Sequence, residues 1–279
     1  MCGGGGVIYG YSLDPSTGAP RLLQGSPFSS GVGALPEGMA AVPNSRLLYV
    51  ADAKQIDAFC VDGSDGFPTP IPGSPFMSGS NPQLVVDPSG KFLYASDDDP
   101  PGGILAFTIG PNGALTPVVG SPFMIPGSSG PNSQPYGIVD TGKFVYTALS
   151  ATNQIAGFSI NTETGALTPV PESPFSTGGT PLGLALANNF LYNLNWQDTS
   201  ISGYSIDANG VLTPVPGSPF LKNSTTTTLT VDPLGKYLFI GTSVGIGGYN
   251  IDPSTGALGP GLAGISNDGA LWLTVVQLP

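Results

Sequence analysis

An aromatic residue, any residue, an aliphatic, and then a turn rich in Asp, Asn and Gly recur six times in this 279-residue chain. The copies begin at Tyr11, Phe59, Phe107, Phe158, Tyr204 and Tyr249, spaced 45 to 51 residues apart. A second motif, Ser-Pro-Phe, follows the first five copies and ends at Phe28, Phe76, Phe123, Phe175 and Phe220. A fixed period of this length means a repeat architecture, in which each unit is one supersecondary element stacked on its neighbours. Residues that recur belong first to the scaffold, so function is to be sought where the copies differ.

One unit reads as four short strands. Gln83 to Asp87 is an apolar run, and Asp87-Pro88-Ser89-Gly90 is a turn with Pro and Gly where a type I turn favours them. Lys91 to Ala95 is a second strand. Ile104 to Ile109 alternates, with Phe107 and Ile109 on one face. Ala114 to Phe123 is a fourth strand, and Pro117 and Pro122 place it at an edge. Four strands with a turn every 8–12 residues describe a β-propeller blade. No stretch carries a helical period with caps, so the fold class is all-β. The expected architecture is a six-bladed β-propeller of four-stranded antiparallel blades, residues 1–279 forming a single domain.

The last blade is expected to be closed by both termini. The second strand is recognisable only five times, near Leu48, Leu93, Val145, Leu191 and Leu238. Two arrangements fit. Either Ala270 to Val276 is the inner strand and one strand is missing, or Leu271 to Val276 is the second strand and Leu262 to Ser266 the inner one.

Composition excludes several functions. The formal charge is −11, with seven basic residues, so a nucleic-acid backbone and an anionic membrane surface would be repelled. No apolar run is long enough to span a membrane. There is no histidine, which removes the commonest general base and the commonest metal ligand. Of the two cysteines, Cys60 reads as a small buried hydrophobe. Cys2, followed by Gly3 to Gly6, resembles the stub of a bacterial lipoprotein and points to a lipid anchor and an extracytoplasmic location. The alternative is a loop, since Gly102-Gly103 precedes Ile104 as Gly5-Gly6 precedes Val7.

The units Asp87-Pro88-Ser89-Gly90-Lys91-Phe92-Leu93-Tyr94 and Thr164-Gly165-Ala166-Leu167-Thr168-Pro169-Val170, the latter leading to Ser173-Pro174-Phe175, resemble the lactonase-like β-propeller family. That family includes relatives of 6-phosphogluconolactonase and the carboxymuconate-cyclising enzymes, and surface-protein propellers with a Tyr-Val-Thr-Asn repeat. The resemblance implies the fold. For activity it implies His, Arg and Glu side chains round the central channel. This chain has no His, and its arginines, Arg21 and Arg46, fall in an outer strand and beside a turn. No catalytic residue of the family is carried over.

The copies differ in the loops joining second to third strands. Asp97, Asp98 and Asp99 set three carboxylates together, a set that could hold a divalent cation such as calcium through oxygen ligands; otherwise no cofactor is implied. Trp196, flanked by Asn195, Gln197 and Asp198, has the arrangement of a sugar-stacking platform. Asp52 and Asn153 lie in equivalent loops and complete the candidate ligand-binding set. The leading expectation is a non-catalytic, extracytoplasmic bacterial propeller that binds a protein or a glycan on this loop face. The alternatives are a lactonase or cycloisomerase using carboxylates, and a surface or fibre subunit that is a monomer or a homo-oligomer through its closing blade.

Overall fold

The computed structural model describes residues 2–3, 7–13, 20–29, 36–52, 54–80, 82–100, 102–127, 133–221, 226–242 and 245–266. Every regular element among them is a β-strand. The described strands form six antiparallel sheets of three to five strands and a separate two-stranded ribbon. Sheet two is built from Pro36–Ala41, Leu47–Asp52 and Gln55–Val61, with an outer strand in two pieces, Pro68–Pro70 and Phe76–Met77. Sheet three repeats this order with Leu84–Val86, Phe92–Asp97, Gly103–Ile109, Leu115–Pro117 and Phe123–Met124. Sheet four runs Pro135–Asp140, Phe144–Leu149, Gln154–Ile160, Leu167–Pro169 and Phe175–Ser176. Sheet five runs Pro181–Ala187, Phe190–Asn195, Ser200–Ile206, Leu212–Pro214 and Phe220–Leu221. Sheet six has Thr226–Val231, Tyr237–Thr242, Gly245–Ile251 and one long outer strand, Leu258–Ser266. The inner strands of successive sheets adjoin one another, as the blades of a propeller do.

Sheet one is assembled from Cys2–Gly3, Val7–Ile8 and Phe28–Ser29, with Tyr11–Leu13 paired to Pro20–Leu22 beside it. Ile8 faces Cys2 and Phe28 as Ile104 faces Ser96 and Phe123. Cys2–Gly3 is therefore a sixth second strand, and the glycine run that follows it, residues 4–6, lies outside the described residues. Leu262 to Ser266 lies within the outer strand of sheet six rather than forming an inner strand. Ala270 to Val276, expected to close the last blade, lies outside the described residues.

The recurring motifs have structural duties. The serine of Ser-Pro-Phe turns its hydroxyl back onto the third strand, where it accepts the backbone N–H of Gly10, Ala58, Ala106, Gly157 and Gly203 in turn, at 2.9–3.0 Å. The outer strand breaks into two at this place, and the serine oxygen substitutes for the missing ladder carbonyl. All five Ser-Pro bonds are cis. The turn aspartates behave as scaffold too. Asp87 accepts the N–H groups of Ser89 and Phe92, and Asp232 those of Leu234, Lys236 and Tyr237.

Neighbouring sheets are latched by one repeated bond. Tyr49, Tyr94, Tyr146 and Tyr192 have no exposed surface. Each donates its hydroxyl to a hairpin carbonyl of the next sheet, at Gly113, Gly165, Gly210 and Gly256, over 2.7–3.2 Å. These glycines have φ between 71° and 84°, a region open to glycine, and a Cβ would run into Leu47, Phe92, Phe144 or Phe190 of the preceding sheet. The aromatic at this place in sheet six is Phe239, which has no hydroxyl to give. Cys60 is exposed, contrary to expectation, because the buried run of its strand, Ile56 to Phe59, ends just before it.

Candidate functional site

The ends of the second strands and the starts of the inner strands share one face. Two places on that face break the repeat chemically.

The first is acidic and lies on sheet two. Asp52 ends a second strand at the ladder position opposite Gln55. It is fully buried, and neither carboxylate oxygen has a hydrogen-bond partner. An unpaired carboxylate is costly to bury, so such a group marks a place where a water, a proton or a ligand is expected. Asp57 stands beside it on the third strand, nearly buried, and accepts Gln55 Nε2 at 3.3 Å. Burial pushes the Asp57 carboxyl up, Gln55 opposes this, and the charge of Asp52 adds to the rise. Glu37 enters from the inner strand and is partly exposed. Burial raises its pKa, and the carboxylates of Asp52 and Asp98 raise it further.

Sheets three and four complete this mouth. Gln83 Nε2 donates to the Glu37 carbonyl at 2.7 Å. The Tyr136 phenol is pushed up by burial and by the charge of Glu37, which places the two side chains in each other's field. Glu37, Asp57 and Tyr136 were not singled out from sequence. A signal for Asp57 did exist: its register places it level with Leu105, Ala156, Ser202 and Gly247, a charge among neutral residues. Glu37 has no comparable local signal.

The expected cation site does not assemble. Asp97 Oδ1 accepts the backbone N–H groups of Ser80 and Asp99 at 3.2 and 3.0 Å. Asp99 turns away to an exposed ion pair with Lys54 at 3.1 Å and accepts Ser80 Oγ at 2.6 Å. Those bonds hold the Asp99 carboxyl below its usual range, led by the Ser80 hydroxyl, whereas burial raises that of Asp97. Among the described residues no group of three acidic, histidine or cysteine side chains converges for a metal ion, so the expected set Asp97, Asp98 and Asp99 does not come together as ligands, and Asp97 and Asp99 shape the loop instead. For Asp97 and Asp99 the physical reason is that backbone N–H groups, the Ser80 hydroxyl and Lys54 already engage their oxygens.

The second place is the polar loop of sheet five. Trp196 is half exposed. Asn195 is fully buried; its amide donates to Ser200 Oγ and Ser202 Oγ at 3.0 and 2.8 Å and its carbonyl oxygen accepts Thr177 Oγ1 and Asn193 Nδ2. Asn195 therefore supports the loop from beneath and is not on its surface. Gln197, Asp198 and Asn153 bind the preceding inter-sheet loop. Thr180 Oγ1 donates to Gln197 Oε1, Gly179 N–H to Asp198 Oδ2, and Thr180 N–H to Asn153 Oδ1. One oxygen of each is engaged in shaping the loop, and Trp196 is the loop's exposed large hydrophobic side chain. Asp52 of the expected set stands apart, in the acidic mouth.

The fold defines a β-propeller. Residues 144–252 match the family model described as Lactonase, 7-bladed beta-propeller. The resemblance drawn from the repeats therefore holds over this stretch, and the chain is similar there to the lactonase β-propellers. Among solved structures it is similar to a protein named a "putative 6-phosphogluconolactonase" from Bacteroides fragilis. The identity is 20%, the match covers 95% of this chain and 79% of that one, and the TM-score is 0.77. It is also similar to the periplasmic gluconolactonase of Pseudomonas aeruginosa, at 19% identity, 97% and 80% coverage and a TM-score of 0.77. No curated relative matches the sequence. These findings correct the leading expectation. They favour the lactonase reading over a non-catalytic binding scaffold, and the scaffold reading is withdrawn.

Proposed function

We propose that this chain hydrolyses a lactone at the acidic mouth formed by sheets two to four, with Glu37 as general base and Asp52 as the carboxylate that tunes it. The match of residues 144–252 to the lactonase family carries the reaction class, and the names of the two structural neighbours agree with it. Asp52, buried with two unpartnered oxygens, supports the choice of site. Fold alone does not assign a reaction, so the proposal stands on these residues and their test.

The chemistry needs few groups. Glu37 takes a proton from water, the hydroxide adds to the lactone carbonyl, and the ring C–O bond breaks. The proton held by Glu37 then passes to the departing ring oxygen. One water is consumed and one hydroxy acid released, and no histidine is required. A carboxylate base is stronger when its pKa is raised, as burial and neighbouring Asp52 and Asp98 raise that of Glu37. The Tyr136 phenol is an O–H donor for the carbonyl oxygen as it gains charge. Asp52 is a positioning residue in this scheme, acting through Glu37. Ring opening followed by pH-stat over a lactone panel tests the proposal. Turnover that Glu37→Gln lowers about a hundredfold or more supports it; a panel with no turnover removes it.

The blade count belongs to the same reading. Six sheets of three to five strands, with a two-stranded ribbon beside the first, are formed by the described residues, and the family is described as seven-bladed. We infer a ring with seven blade positions, six of them taken by these sheets. A crystal structure that closes on six blades would refute this.

A further inference from the structure

We infer that the acidic mouth selects lactones that carry no phosphate or carboxylate of their own, and that it turns away their phosphorylated counterparts. The inference rests on the lactonase reading and names its substrate class. It starts from the charges that line the mouth. Asp52 is fully buried with no partner for either oxygen, Asp57 is nearly buried beside it, and Glu37 lies in the field of both Asp52 and Asp98. Asp97 adds a further carboxyl on the same side of sheet three.

Positive charge is arranged elsewhere. A phosphorylated or carboxylated ligand needs Arg, Lys or backbone N–H groups converging on its oxygens. Lys54 is the one cation on this face among the described residues, and Asp99 already neutralises it. Lys91, Lys143 and Lys236 follow the turns between inner and second strands, at the opposite end of the sheets. Arg46 packs against Gly63 at that same end, and Arg21 lies in an outer strand. Lys222 lies outside the described residues.

An uncharged lactone meets no penalty in such a place, whereas a dianionic phosphate meets a field of its own sign. Like charge in a cleft slows encounter by the same electrostatic focusing that speeds opposite charge. The reaction itself reinforces the selection. Ring opening of a neutral lactone yields a hydroxy acid that ionises, so substrate is admitted uncharged and product leaves as an anion.

The test compares glucono-1,5-lactone with its 6-phosphate, the same ring with and without the charge. At low ionic strength kcat/KM is expected to favour the unphosphorylated lactone by about tenfold or more. The gap should narrow between 0.01 and 1 M salt, as the screening length falls from about 30 to about 3 Å. Asp98→Asn should narrow it as well, and gluconate should inhibit weakly. Equal turnover of the two, or preference for the phosphorylated one, overturns the inference and leaves the lactonase reading standing. Lys222→Ala then shows whether that lysine is the phosphate contact. Turnover of neither, with an intact lactone panel also inert, removes the lactonase reading and this inference with it.

Discussion

Sheets two and five place polar residues at the same ladder positions and use them in opposite ways. Asp52 faces Gln55 across one ladder as Asn195 faces Ser200 across the other, and Asp57 stands level with Ser202. In sheet five the buried Asn195 has donors and acceptors all round it. In sheet two the buried Asp52 has none. An amide is both donor and acceptor, so it can knit a ring of hydroxyls together; an ionised carboxylate only accepts, and its neighbours here are carboxylates as well. One sheet has invested the position in rigidity, and the other keeps it unsatisfied. Unsatisfied buried groups are expensive, and they are found where a ligand or a proton completes them.

The contrast can be broken by substitution, and the largest expected effect is on turnover. Glu37→Gln should reduce lactone hydrolysis about a hundredfold or more, equivalent to about 2.7 kcal/mol of transition-state stabilisation. In the parent protein the acidic limb of kcat/KM should lie above the ordinary glutamate value of about 4.3, because activity is lost as pH falls through the raised pKa of Glu37. Asp52→Asn should move that limb down, since it removes a like charge. An unmoved limb would detach Asp52 from Glu37.

Stability should respond in sheet five more than in sheet two. Asn195→Ala strands the hydroxyls of Ser200 and Ser202 and the amide of Asn193, and should cost about 3 kcal/mol in urea unfolding. Asp52→Asn should cost nothing or stabilise slightly, because no bond is lost and a buried charge is removed. Equal losses in the two variants would dissolve the comparison.

A smaller effect separates buried acid from buried amide by pH. Asp140 is half-buried at the turn of sheet four, and burial raises its carboxyl to about 6, opposed by the Gly142 N–H and helped by Asp87. The folded protein therefore holds a proton that the unfolded chain releases near 4. Stability should fall as pH rises from about 4 to about 6 and stay level above that. Asp140→Asn keeps the acceptor for Gly142 and should flatten this decline in thermal melts, with its gain visible at pH 8 and absent at pH 4. Tyr192→Phe removes one inter-sheet latch and should cost about 1 kcal/mol. Trp196→Ala, at a half-exposed position, should change stability by less than about 0.5 kcal/mol and leave lactone turnover unaltered.

Much of this molecule is legible from its repeats. The Asp, Gly, Pro and Ser-Pro-Phe positions recur because each sheet needs the same turns, and they are found performing those turns. The latch tyrosines also recur, yet their duty is invisible in sequence, since each bond joins residues 64 or 71 positions apart. Asp52 could be named from its loop. Its partner Glu37 could not, because the two meet only when the inner and second strands pair. Asn195 shows the reverse error. An Asn beside an exposed Trp reads as a contact residue, but Asn195 is the last residue of a wholly buried strand and Trp196 the first residue of the exposed turn after it.

The sequence by itself determined the class of fold, through a period that only stacked four-stranded units satisfy, and its lack of histidine ruled out imidazole chemistry within it. The tertiary structure decided which carboxylates face one another and which are already taken. Whether a carboxylate is paired depends on neighbours from three different sheets, and no periodicity within the chain records that.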